Sequence, residues 1–193
     1  ASSFALKYPL KITQNFRAVC DVHPIVEGHT LLIPKAHISC IGAYPNNLLK
    51  EFIDLYNQFY QFIKTEYREV SSFEHGIIGQ TVFHSHVHLL PFVCDPLTII
   101  PEGRKYLTEI KSIKVLKMIF QKEKKYLFFS IDKDMWIVDP SLGIPRFFRD
   151  RFAQALSVPE KGNWKTMDKN QQLMSQAKTD IENLQNRWKQ YHS

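Results

Sequence analysis

The chain has little glycine, little cysteine and no long apolar run. Seven glycines against ten prolines in 193 residues exclude a collagen-like or low-complexity polymer and fit the ordinary punctuation of a folded chain. Cys20, Cys40 and Cys94 are odd in number and show no CxxC spacing. That argues against a disulfide framework or a zinc knuckle, so all three read as buried structural thiols and a reducing cytoplasm is the expected location. The longest apolar stretches are strand-sized and broken by proline or charge, far short of the roughly 20 residues that cross a bilayer. No membrane partner is therefore expected. The start Ala1-Ser2-Ser3-Phe4 lacks the basic-then-apolar pattern of a secretory signal, and no internal repeat is evident.

What the chain does have is core material. Its 44% apolar and 13% aromatic content supports a packed interior rather than global disorder. Charge is uneven. Residues 1–109 carry 9 Lys and Arg against 10 Asp and Glu, a net of −1, whereas residues 110–193 carry 16 against 9, a net of +7. The second segment could attract a polyanion, although aromatic–basic motifs of the RNA-recognition type are absent and a solvated lysine-rich surface is the plainer reading. Nucleic acid is thus a weakly supported partner.

Hydrophobic spacing predicts the elements. Arg17–Val22 and His29–Ile33 read as strands, linked through Pro24 and Gly28 and closed by Pro34. Apolar residues from Leu48 to Ile63 recur at three and four, which predicts a helix capped by Asn46 or Asn47 and running to about Glu69. Ser72–Ile78 reads as a strand, and Thr81–Phe92 as a long strand carrying histidines. Tyr126–Ile131 and Met135–Val138 around Asp132-Lys133-Asp134 read as a hairpin. Pro145 is placed to start a helix ending near Leu156, and a polar helix with the stripe Leu173, Ile181, Leu184 and Trp188 is expected from about Asp168. Strands and helices do not alternate, so the expected class is α+β. The expected organisation is a catalytic unit at 1–109 with a basic extension at 110–193 packed on it.

Seven of the eight histidines fall between positions 23 and 88. On one continuous strand His84, His86 and His88 would share a face, with Ser85, Val87 and Leu89 on the other. A face that only buried apolar surface would carry Val, Ile or Leu there, because unpartnered imidazoles are costly to bury. Metal binding is one reading. Neighbours in such a row lie roughly 6.6–6.8 Å apart and its ends about 13 Å apart, so a single ion would need two of them plus an outside ligand such as His75 or Glu74. An anion site with a nucleophilic imidazole is a second reading and needs no metal or cofactor. A polar row without chemistry is the third.

His84-Ser85-His86-Val87-His88-Leu89-Leu90 resembles the His-x-His-x-His-apolar-apolar signature of the histidine-triad (HIT) superfamily. Gly28-His29-Thr30-Leu31-Leu32-Ile33-Pro34-Lys35-Ala36-His37-Ile38 and Gly79-Gln80-Thr81-Val82-Phe83 are similar to two further family segments. Together they span about residues 10–95.

The resemblance implies a small antiparallel sheet with a long helix, usually a homodimer, and chemistry at a nucleotide's α-phosphorus through a covalent nucleotidyl-histidine. It implies His86 as nucleophile and His88 as assistant to the leaving group or phosphate. His84 would order the cluster and His29 would orient the nucleophile. Asp21 would contact ribose hydroxyls, and Gln80 and Thr81 phosphate. A histidine at 88 points to the hydrolase side of the superfamily.

Two departures stand out. Ser85 replaces a usual apolar residue and is expected to point away from the site. Glu74 and His75 stand where relatives place Asn or Gln near phosphate, and Glu74 or His75 is expected to face the pocket instead. His37 reads as structural, and His23 and His192 receive no role. Pro145-Arg146-Phe147-Phe148-Arg149 through Pro159 and Trp164 is similar to extensions on some bacterial-type members, where Arg146 and Arg149 could approach a polyphosphate or lie at the surface. The implied activity is hydrolysis of, or nucleotidyl transfer from, a nucleoside phosphoramidate or dinucleoside polyphosphate. The alternative is a catalytically weak nucleotide- or RNA-binding module.

Overall fold

The computed structural model describes residues 6–192, so Ala1–Phe4 lie outside the described residues. Eight strands form one antiparallel sheet: β1 (Pro9–Ile12), β2 (Phe16–Cys20), β3 (Thr30–Pro34), β4 (Ser71–Gly76), β5 (Val87–Leu90), β6 (Leu107–Ile110), β7 (Tyr126–Ile131) and β8 (Asp134–Val138). Their spatial order is β1-β2-β3-β5-β4-β7-β8-β6. The hairpin β7–β8 joins the sheet through β7, which pairs with β4 from Ser71↔Ile131 to Gly76↔Tyr126. One sheet therefore runs through both segments of the chain. The α+β class and the antiparallel sheet with a long helix agree with expectation.

The helices are α1 (Asn46–Tyr67), α2 (Pro96–Ile99), α3 (Val115–Glu123), α4 (Phe147–Ala155), α5 (Trp164–Met167) and α6 (Gln171–Tyr191). Alternation along the strands divides the interior into two cores. Phe128, Val87 and Leu89 face α1 and α6, while Leu127, Phe129 and Leu90 face α2 and α4. α1 buries Leu48, Leu49, Phe52, Leu55, Tyr56, Phe59, Phe62 and Ile63, the stripe its spacing predicts. α6 docks Ile181, Leu184 and Trp188 on that helix, with the Trp188 ring stacked on Phe59 at 4.4 Å between centroids.

Three expectations are corrected. Pro45, not an asparagine, stands at the α1 N-cap, and no side chain caps the helix. Cys94 is only half-buried, whereas Cys20 and Cys40 are buried. The long strand 81–92 is in fact β5 alone, and β4 stops at Gly76 rather than Ile78. Ile77 takes φ +81 and Gly79 φ +75, so the chain leaves the sheet and returns as a loop over 77–86. Gly79 permits the close approach: its carbonyl accepts from the Arg146 N–H at 3.1 Å, and a Cβ there would lie 2.3 Å from the Ile144 oxygen. β1, β6 and α3 carried no sequence signal strong enough to be expected. Among the described residues no helix is long and apolar enough to cross a membrane.

Candidate active site

His88 sits in β5, paired in register with Leu31 on β3 and Phe73 on β4. Its ring stacks on Phe73 at 4.2 Å. His29, just before β3, brings Nε2 to 2.9 Å from His88 Nδ1. The protons can be placed from the partners. The Ile25 N–H donates to His29 Nδ1 at 3.1 Å, so neutral His29 carries its proton on Nε2 and donates it to His88 Nδ1. His88 must then carry its own proton on Nε2. That buried Nε2 has no hydrogen-bond partner among the described residues. Burial holds His29 down to about 4 and His88 well below the ordinary histidine range, so both are neutral at pH 7.

His86 lies on the returning loop, half-buried, with its ring 5.1 Å from that of His88. Its Nδ1–H donates to the His84 carbonyl at 2.6 Å, which leaves Nε2 with a free lone pair. Burial, the largest influence, also lowers its pKa. A neutral imidazole with a fixed tautomer is the form a nucleophile requires.

His84 does not share this face. It stands off the strand, its Nε2–H donates to the Pro34 carbonyl at 2.7 Å, and its Nδ1 lies 3.2 Å from His37 Nδ1. The expected three-imidazole row is thus a pair, His86 and His88, because the strand that would have aligned His84 does not extend to it.

A cleft of about 160 Å³ opens beside the pair, lined in part by Asp21, His23, Thr81, His86, His88, Arg149 and Trp164. Asp21 is 4% exposed. Its Oδ1 accepts from the His23 N–H at 2.9 Å and its Oδ2 from Arg149 Nη1 at 2.7 Å. Burial alone would raise this carboxyl, but the Arg149 guanidinium, foremost among the opposing influences, holds it below the ordinary carboxylate range.

Of the other expected contacts, Thr81 lines the cleft. Gln80 is buried and donates from Nε2 to the Ser39 carbonyl at 2.7 Å. Glu74 and His75 are not among the cleft's lining residues. Glu74 accepts from the Ile41 N–H at 3.0 Å, from Ser85 Oγ at 2.8 Å and from Tyr126 Oη. Burial raises its pKa to about 7. Ser85 also bonds Tyr44 Oη at 2.7 Å, so this network grips the loop between His84 and His86 from inside the fold. His75 accepts the Phe148 N–H at 3.0 Å, and burial lowers it to about 3.

Asp21, His29 and His88 are the group among the described residues whose ligating atoms lie close enough to converge on one ion. The ion pair to Arg149 and the His29–His88 bond occupy those atoms, so we do not read these residues as metal ligands. Sequence reasoning missed how deep Arg149 lies, and assigned no role to His23. His23 Nε2 is 2.6 Å from Asp168 Oδ1, and its ring is 5.9 Å from that of Trp164. Phenylalanines at 147, 148 and 152 around Arg149 were the available hint, because a cation amid a buried aromatic face needs a buried partner.

Residues 11–92 match the HIT domain. Protein hit of Bacillus subtilis is 30% identical over 78 residues, covering 38% of this chain and 54% of that protein. The adenosine 5'-monophosphoramidase of Saccharomyces cerevisiae is 31% identical over 74 residues, covering 38% and 47%. These matches span about half the length of each relative. Among solved structures, a hypothetical histidine triad nucleotide-binding protein of Sulfolobus tokodaii superposes with TM-score 0.40 at 29% identity, over 44% of this chain and 59% of that one. Residues 11–92 thus carry the match to the HIT domain, and the rest of the chain lies outside it.

Proposed function

We propose that the protein is a nucleotide hydrolase or nucleotidyl transferase that attacks the α-phosphorus of a nucleoside phosphoramidate or dinucleoside polyphosphate with His86 Nε2. The observation that carries this reading is the pair of fixed tautomers: a lone pair on His86 Nε2 beside an N–H on His88 Nε2. In the first step the lone pair forms a P–N bond while the bond from phosphorus to the leaving group breaks. The leaving group keeps that bond's electron pair, and a leaving amine takes its proton from solvent. His88 Nε2–H donates to a non-bridging oxygen, where negative charge grows in the transition state. In the second step water attacks phosphorus, the P–N bond breaks, the electrons return to His86 and the water proton passes to solvent. Inorganic phosphate or another nucleophile in place of water gives transfer. His29 holds His88, the Glu74–Ser85 network holds the loop, and Thr81 faces the phosphates. Similarity to a phosphoramidase over part of the chain supports the substrate class. A homodimer, implied by the resemblance, belongs to the same proposal and is checked by light scattering.

The test is a screen of adenosine and guanosine phosphoramidates and dinucleoside polyphosphates, with and without added phosphate. Nucleoside monophosphate should be released, and His86→Ala should lower the rate at least about 1,000-fold. Undiminished turnover in the variant contradicts the role of His86. Nucleotide binding without turnover of any substrate favours the binding-module alternative.

A further inference from the structure

We infer that Arg149, from the segment beyond the HIT domain, is a positioning residue that fixes the tautomer of His88 through Asp21 and His29. The inference rests on the reading of His86 and His88 as the reacting pair.

Arg149 is anchored from both sides. On α4, the flanking Phe148 and Phe152 rings pack on Phe73 at 5.5 and 5.1 Å, the same ring that stacks on His88. The guanidinium, on a side chain 7% exposed, then crosslinks two segments. Nη1 donates to Asp21 Oδ2 at 2.7 Å, Nη2 to the His23 carbonyl at 2.7 Å and Nε to the Gly162 carbonyl at 3.3 Å. These bonds hold it inside the fold rather than at the surface.

Its effect follows from competition for one proton. His29 Nε2 lies 2.9 Å from His88 Nδ1 and 3.5 Å from Asp21 Oδ2. With Arg149 satisfying Oδ2, the His29 proton goes to His88, and His88 presents an N–H to the cleft. Without Arg149, Asp21 is a buried carboxylate short of its main partner, and such a charge recruits the nearest donor. His29 then turns its Nε2 proton to Asp21. His88 Nδ1 loses its donor, and an unprotonated Nε2 facing the cleft would repel phosphate oxygens.

The groups facing the relay support the direction. Asp21 draws protons onto His29. Arg149 opposes protonation of His29, His86 and His88, and His75 also opposes that of His88. His23, bonded to Asp168, flanks Asp21 on its far side.

The experiment combines histidine ¹⁵N NMR with pH–rate profiles on the full chain. Wild type should show His88 protonated on Nε2 at pH 7. Arg149→Met should convert His88 wholly or partly to the Nδ1 tautomer, raise the pKa of His29, and move the acid limb of kcat up by about one pH unit, so that the loss approaches tenfold at pH values below the wild-type limb. Arg149→Lys keeps the charge but loses the second anchoring donor. It should move both readouts the same way by less, and it serves if the Met variant does not fold. Unchanged His88 tautomer and His29 titration in the folded variant overturn the inference. Because the tautomer is read without substrate, its shift in a protein that turns over nothing would sustain Arg149's role while contradicting the proposed activity.

Discussion

The two parts of this chain reach the cleft by different routes. Residues 11–92 deliver His29, His86 and His88 from a strand entry, a returning loop and a strand, with positions set by sheet register and short backbone bonds. The later segment contributes no histidine to the cleft. It adds β7 and β8 to the sheet, lays α6 over α1, and sends Arg149 and Trp164 into the cleft wall. The difference teaches that the later segment reaches the site through polar contacts rather than histidines of its own. Two of these contacts act as wires to the reacting groups, Arg149 at Asp21 and Tyr126 at Glu74, while Asp168 holds His23 at the cleft wall. Much of the rest stabilises by burial. Substitutions should therefore divide cleanly: burial residues of the later segment change stability alone, and residues along either wire change chemistry too.

The largest expected effect tests the first half of that division. Trp188 is 7% exposed, stacks on Phe59, and donates from Nε1 to the Leu10 carbonyl at 2.7 Å. Trp188→Ala should cost about 3–5 kcal/mol in denaturant unfolding, with kcat unchanged wherever the variant is folded. A fall in kcat in the folded variant would break the comparison by making α6 part of the site.

Glu74 comes next. Its carboxyl is raised from the ordinary 4.5 to about 7 by burial. An acid raised on folding stabilises fully below its unfolded value and loses that contribution as pH rises through the folded value. Wild type should thus lose about 3 kcal/mol relative to Glu74→Gln between pH 4.5 and pH 8. Urea titrations of both proteins across that range give the difference directly, and a gap that stays constant with pH would remove Glu74 as a buried titrating group.

Ser85→Ala should show the smallest effect. Removing the donor to Glu74 and the bond to Tyr44 should cost about 1–2 kcal/mol. It should also lower kcat a few-fold by loosening the loop that carries His86, with the His88 tautomer unmoved. A changed tautomer would merge the two wires into one.

Much of this was legible from local pattern. The long helix announced itself by its three-and-four spacing, and the β7–β8 hairpin by two apolar runs around Asp132-Lys133-Asp134. The histidine segments were visible because His84, His86 and His88 are close in sequence. The loop at 77–86 was not, since a positive φ at the β-branched Ile77 runs against local preference and the partners that meet the loop at Gly79, Ile144 and Arg146, are remote in sequence. With that bend missed, His84 seemed to join His86 and His88 on one face. Arg149 reads from sequence as an arginine that could approach a polyphosphate or lie at the surface, but its partner Asp21 lies 128 positions away. No local rule connects them. Glu74 was placed toward the pocket by position in a motif, whereas its buried bonds reach Ile41, Ser85 and Tyr126, contacts that only the assembled sheet creates.

The central claim is that His86 Nε2 is the attacking atom, and covalent trapping tests it most directly. Wild type should be mixed with a cleaved phosphoramidate or dinucleoside polyphosphate, stopped by denaturation under alkaline conditions that preserve a phosphorus–nitrogen bond, and measured by intact and peptide mass spectrometry. The account predicts a mass increase of one nucleoside monophosphoryl group, mapped to His86, formed fast enough for turnover and absent from His86→Ala. An adduct on another residue, or turnover whose rapid-quench time course never shows an adduct, would contradict it.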